Sequence, residues 1–119
     1  MNNKIDPCSC LDVISERELL SKDEAAQLAN LFKLLAGETR LRLLHILVRE
    51  GELSVGDIAQ RAEMKAQAVS NQLNQLRDRG VVNARRSGNL IYYQVVDHCV
   101  LKLLEHGICL TECSAKRAT

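Results

Sequence analysis

No stretch of this sequence approaches the ~18 consecutive apolar residues that a membrane-spanning helix requires, so no membrane association is expected. The opening MNNKIDPCSC has no apolar segment of the kind that directs secretion, which predicts a cytoplasmic location. Catalytic signatures are missing as well. There is no HExxH, no Ser/His/Asp arrangement and no Gly-rich phosphate loop, so an enzyme is not expected. Proline occurs once, and the formal net charge is only +1.

The near-neutral balance hides a strong asymmetry. Residues 1–24 hold Lys4, Arg17 and Lys22 against Asp6, Asp12, Glu16, Glu18, Asp23 and Glu24. Residues 65–90 hold Lys65, Arg77, Arg79, Arg85 and Arg86 against Asp78 alone. A basic stretch of this kind is the electrostatic footprint of a nucleic-acid surface. A chain of 119 residues suits one domain, with a core large enough to fold without disulfides. Its five cysteines are an odd number and are expected in a reducing compartment, where thiols more often bind metal or do redox chemistry than form structural bridges.

Along the chain, residues 1–10 lack periodicity and read as a mobile arm, and 10–20 as a short helix. Ser21 with Glu24 three residues later forms a capping box before apolar residues at helical spacing (Ala25, Leu28, Ala29, Phe32, Leu35), which predicts a helix over 22–35. Gly37 and Gly51 bracket a second helix whose core candidates are Leu41, Leu44, Ile46, Leu47 and Val48, with His45 packed inside. Ser54 and Asp57 open a third, and after the bend EMKAQ a fourth turns Val69, Leu73 and Leu76 inward. Its other face carries Gln67, Ser70, Asn71, Asn74 and Gln75. Exposed helix faces are usually dominated by Lys and Glu, whereas amides can hydrogen-bond base edges in the major groove; a neutral solvated face is the plainer alternative. Alternation over 81–96, broken at Ser87-Gly88-Asn89, predicts a β-hairpin with Arg85 and Arg86 just before its turn. Asp97 caps a last helix. A hairpin after a recognition helix is a wing, able to set its arginines on phosphates or in the minor groove.

The blocks LFKLLAGETRLRLLHIL, ELSVGDIAQ, VSNQLNQLRDRGVV and RRSGNLIYYQV, in that order over about residues 22–105, resemble the ArsR/SmtB family of metal-responsive repressors. The resemblance implies a mainly α winged helix-turn-helix with a small β-hairpin wing, dimeric through its N- and C-terminal helices. It also implies a palindromic double-stranded operator that is bound without metal and released with it. On that template residues 1–119 form one domain, with the helix-turn-helix at 54–79, the wing at 82–95 and a dimerisation and sensor helix at 97–113. Lys65, Gln67, Ser70, Asn71 and Gln72 then become base or phosphate contacts, joined by Arg85 and Arg86 from the wing.

The cysteines lie at the two ends: Cys8 and Cys10 in the arm, Cys99, Cys109 and Cys113 on or just past the last helix. At 100° per residue the latter three share a sector of about 80°. Cys109 and Cys113, at i and i+4, can share an ion. Cys99 is ~15 Å away along one helix, but an antiparallel partner helix could bring it across. The family places Asp-x-His on one subunit and His-x-x-Glu or His-x-x-His on the other; here Asp97-His98-Cys99 matches the first half. Cys109-Leu110-Thr111-Glu112 matches the second with a one-residue deletion, so Glu112 and Cys113 are alternatives there. The family's other site needs a Cys-x-Cys where this chain has Ser54 and Gly56, which leaves Cys8 and Cys10 to seek the last helix. His98 reads as a surface or capping residue and His106 as a spare ligand. Thiolate donors favour Cd, Pb, Hg or As(III)/Sb(III) as the inducer, and Zn accepts them too; no organic cofactor is expected. A thiol redox or persulfide sensor of the same fold is one alternative, a zinc-stabilised interaction module another. Cysteines packed as small apolar side chains would need no ligand at all.

Overall fold

The computed structural model describes residues 14–117, with side chains through Cys113. Its elements run α1 (Lys22–Leu35), α2 (Glu38–Glu50), β1 (Leu53–Ser54), α3 (Val55–Ala62), α4 (Ala66–Asp78), β2 (Asn83–Ser87), β3 (Leu90–Gln94) and α5 (His98–Arg117). The helix starts follow local chemistry. Ser21 Oγ accepts the Glu24 N–H at 3.1 Å while the Glu24 carboxylate accepts the Ser21 N–H at 2.8 Å, satisfying two otherwise orphaned donors. Ser54 Oγ takes the Asp57 N–H at 3.2 Å, and Asp97 Oδ1 takes the Cys99 N–H at 2.7 Å. Gly51, at φ +86°, ends α2 in a conformation that side chains rarely adopt. The turn between α3 and α4 begins at Glu63, left-handed at φ 57° without being glycine.

One apolar stripe of α4 organises the interior. Val69, Leu73 and Leu76 are buried together with Leu43, Leu44 and Leu47 of α2 and Ile58 of α3. Burying each such side chain contributes roughly 1.5–3 kcal/mol. β1, β3 and β2 form an antiparallel sheet in that order, with Leu53 opposite Tyr93 and Arg85 opposite Tyr92. Tyr93, only 1% exposed, closes the core, and its hydroxyl donates to Asn74 Oδ1 at 3.0 Å. The hairpin turns on Gly88 and Asn89, with Gly88 at φ +62°, the pattern of a type II′ turn. These elements make a winged helix-turn-helix.

Several sequence expectations need correction. The described part of 10–20 is not helical: Ile14–Glu16 form a turn and the chain runs irregularly to Ser21. Leu41 is exposed and Leu43 takes its place in the core, while Ile46 and Val48 are half-buried. His45 is exposed rather than packed inside, because it lies one residue beyond the inward stripe of α2. The last helix passes Cys113 and continues to Arg117, and the hairpin gains a third strand, β1, that was not anticipated. Residues 1–10 lie outside the described residues.

Within a single chain, α1 and α5 leave much apolar surface uncovered. Leu28 and Phe32 are 41% and 46% exposed, and Ile108 is 43% exposed. Between α1, α2 and α5 runs an open groove of about 600 Å³, lined by Phe32, Leu35, Leu44, Val100, Leu104 and Ile108 among others.

Tyr93→Phe removes the hydroxyl that ties the wing strand to α4 and strands the Asn74 carbonyl. It is expected to lower unfolding stability by about 0.5–1.5 kcal/mol, whereas Leu73→Ala should cost about 2–5 kcal/mol. Urea melts of the two variants, read as midpoint shifts at constant slope, check both values.

Candidate nucleic-acid interface and thiol pair

Burial of Val69, Leu73 and Leu76 turns the opposite face of α4 outward. Gln67 and Asn71 are exposed one turn apart, with Gln67 Nε2 donating to Asn71 Oδ1 at 3.0 Å. Lys65 is exposed at the N-cap, and Ser70 is half-buried beside them. The other amides are engaged elsewhere. Asn74 holds Tyr93, while Gln72 Oε1 accepts from Arg40 Nε at 2.7 Å and Gln75 Oε1 from Arg40 Nη2. The amide-rich face inferred from sequence therefore divides into an outward part, Gln67, Ser70 and Asn71, and a braced part.

The two wing arginines also differ. Adjacent residues on a strand point to opposite faces. Arg85 makes a two-point ion pair with Glu52, at 2.9 and 2.8 Å, and its guanidinium lies 5.0 Å from the centre of the Tyr92 ring. The hydrogen bond from Arg85 holds the Glu52 carboxyl below its usual range, and the same pairing raises Arg85 above its own. Arg86 is exposed, with a long 3.4 Å contact to its own turn at the Gly88 carbonyl.

At the far end of the molecule, Cys109 and Cys113 stand on one face of α5 with their sulfurs 3.5 Å apart. The Cys113 thiol is pushed up by its hydrogen bond with Cys109, then by desolvation and by the nearby Glu112 charge. Cys99 is half-buried at the start of the helix and is not a free thiol. Among the described residues, no three His, Cys, Asp or Glu side chains gather into a metal-sized cluster within one chain. Asp97 is occupied as the α5 cap, and Glu112 and His106 are exposed. Cys8 and Cys10 lie outside the described residues. Among the described residues, Cys109 and Cys113 are the free thiols.

Sequence reasoning missed Arg40 and Glu52, the residues that brace α4 and the wing. Each reaches its partner across more than thirty positions, with no local periodicity to mark it.

Comparison with known proteins bears on both surfaces. A family model described as "MarR family" matches residues 37–89, which run from α2 into the wing turn and stop short of α5. The cadmium resistance transcriptional regulatory protein CadC of Listeria innocua is 34% identical over 111 residues, 91% of this chain and 93% of its own. The solved AntR antimony-specific transcriptional repressor is 50% identical, covers 92% of this chain and 98% of its own, and superposes with a TM-score of 0.78. A homodimeric winged helix-turn-helix DNA-binding domain of Mycobacterium bovis, a possible ArsR-family regulator, is 31% identical over 81% of this chain and 91% of its own, TM-score 0.67. These relatives are transcriptional regulators, not enzymes.

On duplex DNA, Arg86→Ala is expected to lower the slope of log affinity against log salt by about 0.9, one phosphate contact. Arg85→Ala should leave it nearly unchanged, because Glu52 already neutralises that charge. Equal losses in the two variants would mean that Arg85 leaves Glu52 for a phosphate.

Proposed function

Because this chain belongs to the ArsR/SmtB family of metal-responsive winged helix-turn-helix repressors, we propose that it holds a palindromic operator as a homodimer and releases it on capturing a thiophilic ion of the As(III)/Sb(III) class. The observation that carries this reading is the Cys109–Cys113 pair, two sulfurs 3.5 Å apart on an exposed helix face. Thiolates sharing one ion at bond lengths of about 2.3 Å sit roughly 3.5–4 Å apart, so the pair fits without rearrangement. Sulfur donors select soft ions over hard or octahedral ones. Similarity to an antimony-specific repressor at 50% identity favours a trivalent metalloid over Cd, Pb, Hg or Zn.

Two thiols do not complete a site. Cys99 is not a free thiol here, so it can serve as a third donor only after reduction; a second protomer could then bring it across, since α1 and α5 expose apolar surface that a dimer would cover. A homodimeric relative of the same fold supports that assembly. Cys8 and Cys10 from the arm supply further sulfur; Asp97 and Glu112 are the oxygen donors within reach of this sequence region. On the DNA side, Lys65, Gln67, Ser70 and Asn71 of the recognition helix would meet the major groove, Gln72, braced by Arg40, would contribute only through its NH2, and Arg86, with Arg85 secondarily, would lie on the backbone. Thiolates bridging the two α5 helices favour one dimer geometry, and release follows only if that geometry binds DNA more weakly. A coupling of ~3 kcal/mol would weaken operator binding by about 150-fold.

Operator binding, measured in the presence of a thiol reductant with and without As(III), Sb(III), Cd, Pb, Hg and Zn, tests this. Cys109→Ser and Cys113→Ser are each expected to keep DNA binding and lose the response, Cys99→Ser likewise, and Cys8→Ser to respond more weakly than wild type. Ion affinity should rise with pH, because capture displaces thiol protons and Cys113 begins with a raised pKa. Full release in the Cys109/Cys113 double variant would move the site to the arm.

A further inference from the structure

Arg40, half-buried in the first turn of α2, joins three elements. Its Nη1 donates to the Leu34 carbonyl near the end of α1 at 3.0 Å, its Nε to Gln72 Oε1 at 2.7 Å, and its Nη2 to Gln75 Oε1. A guanidinium has five N–H donors and no acceptor. Both glutamines must therefore turn their oxygens toward Arg40 and their NH2 groups away from it. This orientation is compelled by chemistry. An amide reads adenine at two points by using its oxygen and its NH2 together. Gln72 and Gln75 have their oxygens turned toward Arg40, so neither can present oxygen and NH2 together to one base. Gln67 and Asn71 differ: the one bond between them engages the Asn71 oxygen, but it is an exposed, uncharged amide–amide contact that is readily exchanged for a base edge, whereas a bond to a guanidinium is stronger.

We propose that Arg40 is a positioning residue for operator specificity. It fixes α4 against α1 and α2 and withdraws Gln72 and Gln75 from two-point base reading, which leaves that reading to Gln67 and Asn71. The inference rests on α4 being the DNA-reading helix. It sets a rule for the operator: positions under Gln72 or Gln75 are contacted through acceptors, whether phosphate, guanine O6/N7 or thymine O4, and not as two-point adenine contacts.

The test uses the full chain and a duplex enriched from a randomised pool by the wild-type protein. Affinity for it is compared with that for a scrambled duplex over a range of salt. Arg40→Lys keeps the charge but cannot fork to three acceptors, and is expected to reduce the specific-to-scrambled ratio by roughly five- to 150-fold, the worth of a bidentate base contact. The salt slope on scrambled DNA should not move. Gln72→Glu and Gln75→Glu keep the acceptor for Arg40 and delete the NH2. They are expected to weaken both duplexes alike and so preserve the ratio. A salt slope lower by about 0.9 in Arg40→Ala would make Arg40 a phosphate contact and overturn the inference. A ratio that falls in Gln72→Glu as far as in Asn71→Ala would overturn it too, by making Gln72 a reader. Asn71→Ala with an unchanged ratio would instead remove α4 as the reading helix, and this inference with it.

Discussion

The burial of a single stripe on α4 governs most of what this molecule presents to its surroundings. Val69, Leu73 and Leu76 have no exposed surface, and they are held by leucines of α2 that are equally enclosed. Side chains at these positions fix the rotation of α4 about its own axis, because interiors are packed too tightly to let a helix roll. Once that angle is set, Gln67 and Asn71 have no choice but to face outward. The same clamp places Asn74 within reach of Tyr93, so the strand leading out of the wing is registered against the recognition helix.

Helix beginnings and ends were legible because they depend on neighbours in sequence. The Ser21–Glu24 box, Gly51, Ser54 with Asp57, and Asp97 all act within a few residues, and each stands where it was expected. Burial on α2 was less legible: Leu41 and Leu43 are both apolar, and only the position of α4 decides which one is enclosed. β1 escaped notice since a two-residue strand has no periodicity and exists through its pairing with β3. The acidic and amide partners of Arg85 and Arg40 are likewise tertiary facts. In the thiol region, the i, i+4 relation of Cys109 and Cys113 could be read directly.

The chain separates two chemistries by distance. Amides and arginines cluster on α4 and the hairpin; exposed sulfur lies on the distal half of α5, beyond the groove lined by α1, α2 and α5. On the proposed function, an ion held at the thiols would act on DNA binding through helix placement. That arrangement lets each surface keep its own ligand selectivity.

The Glu52–Arg85–Tyr92 contact has a mechanical side. It grips the hairpin midway along β2, so the strands below it move with the sheet, whereas the segment from Arg86 through Gly88 to Ile91 overhangs as a cantilever. A beam clamped at its root bends at its tip. Those few residues can deflect without turning α4 out of its seat.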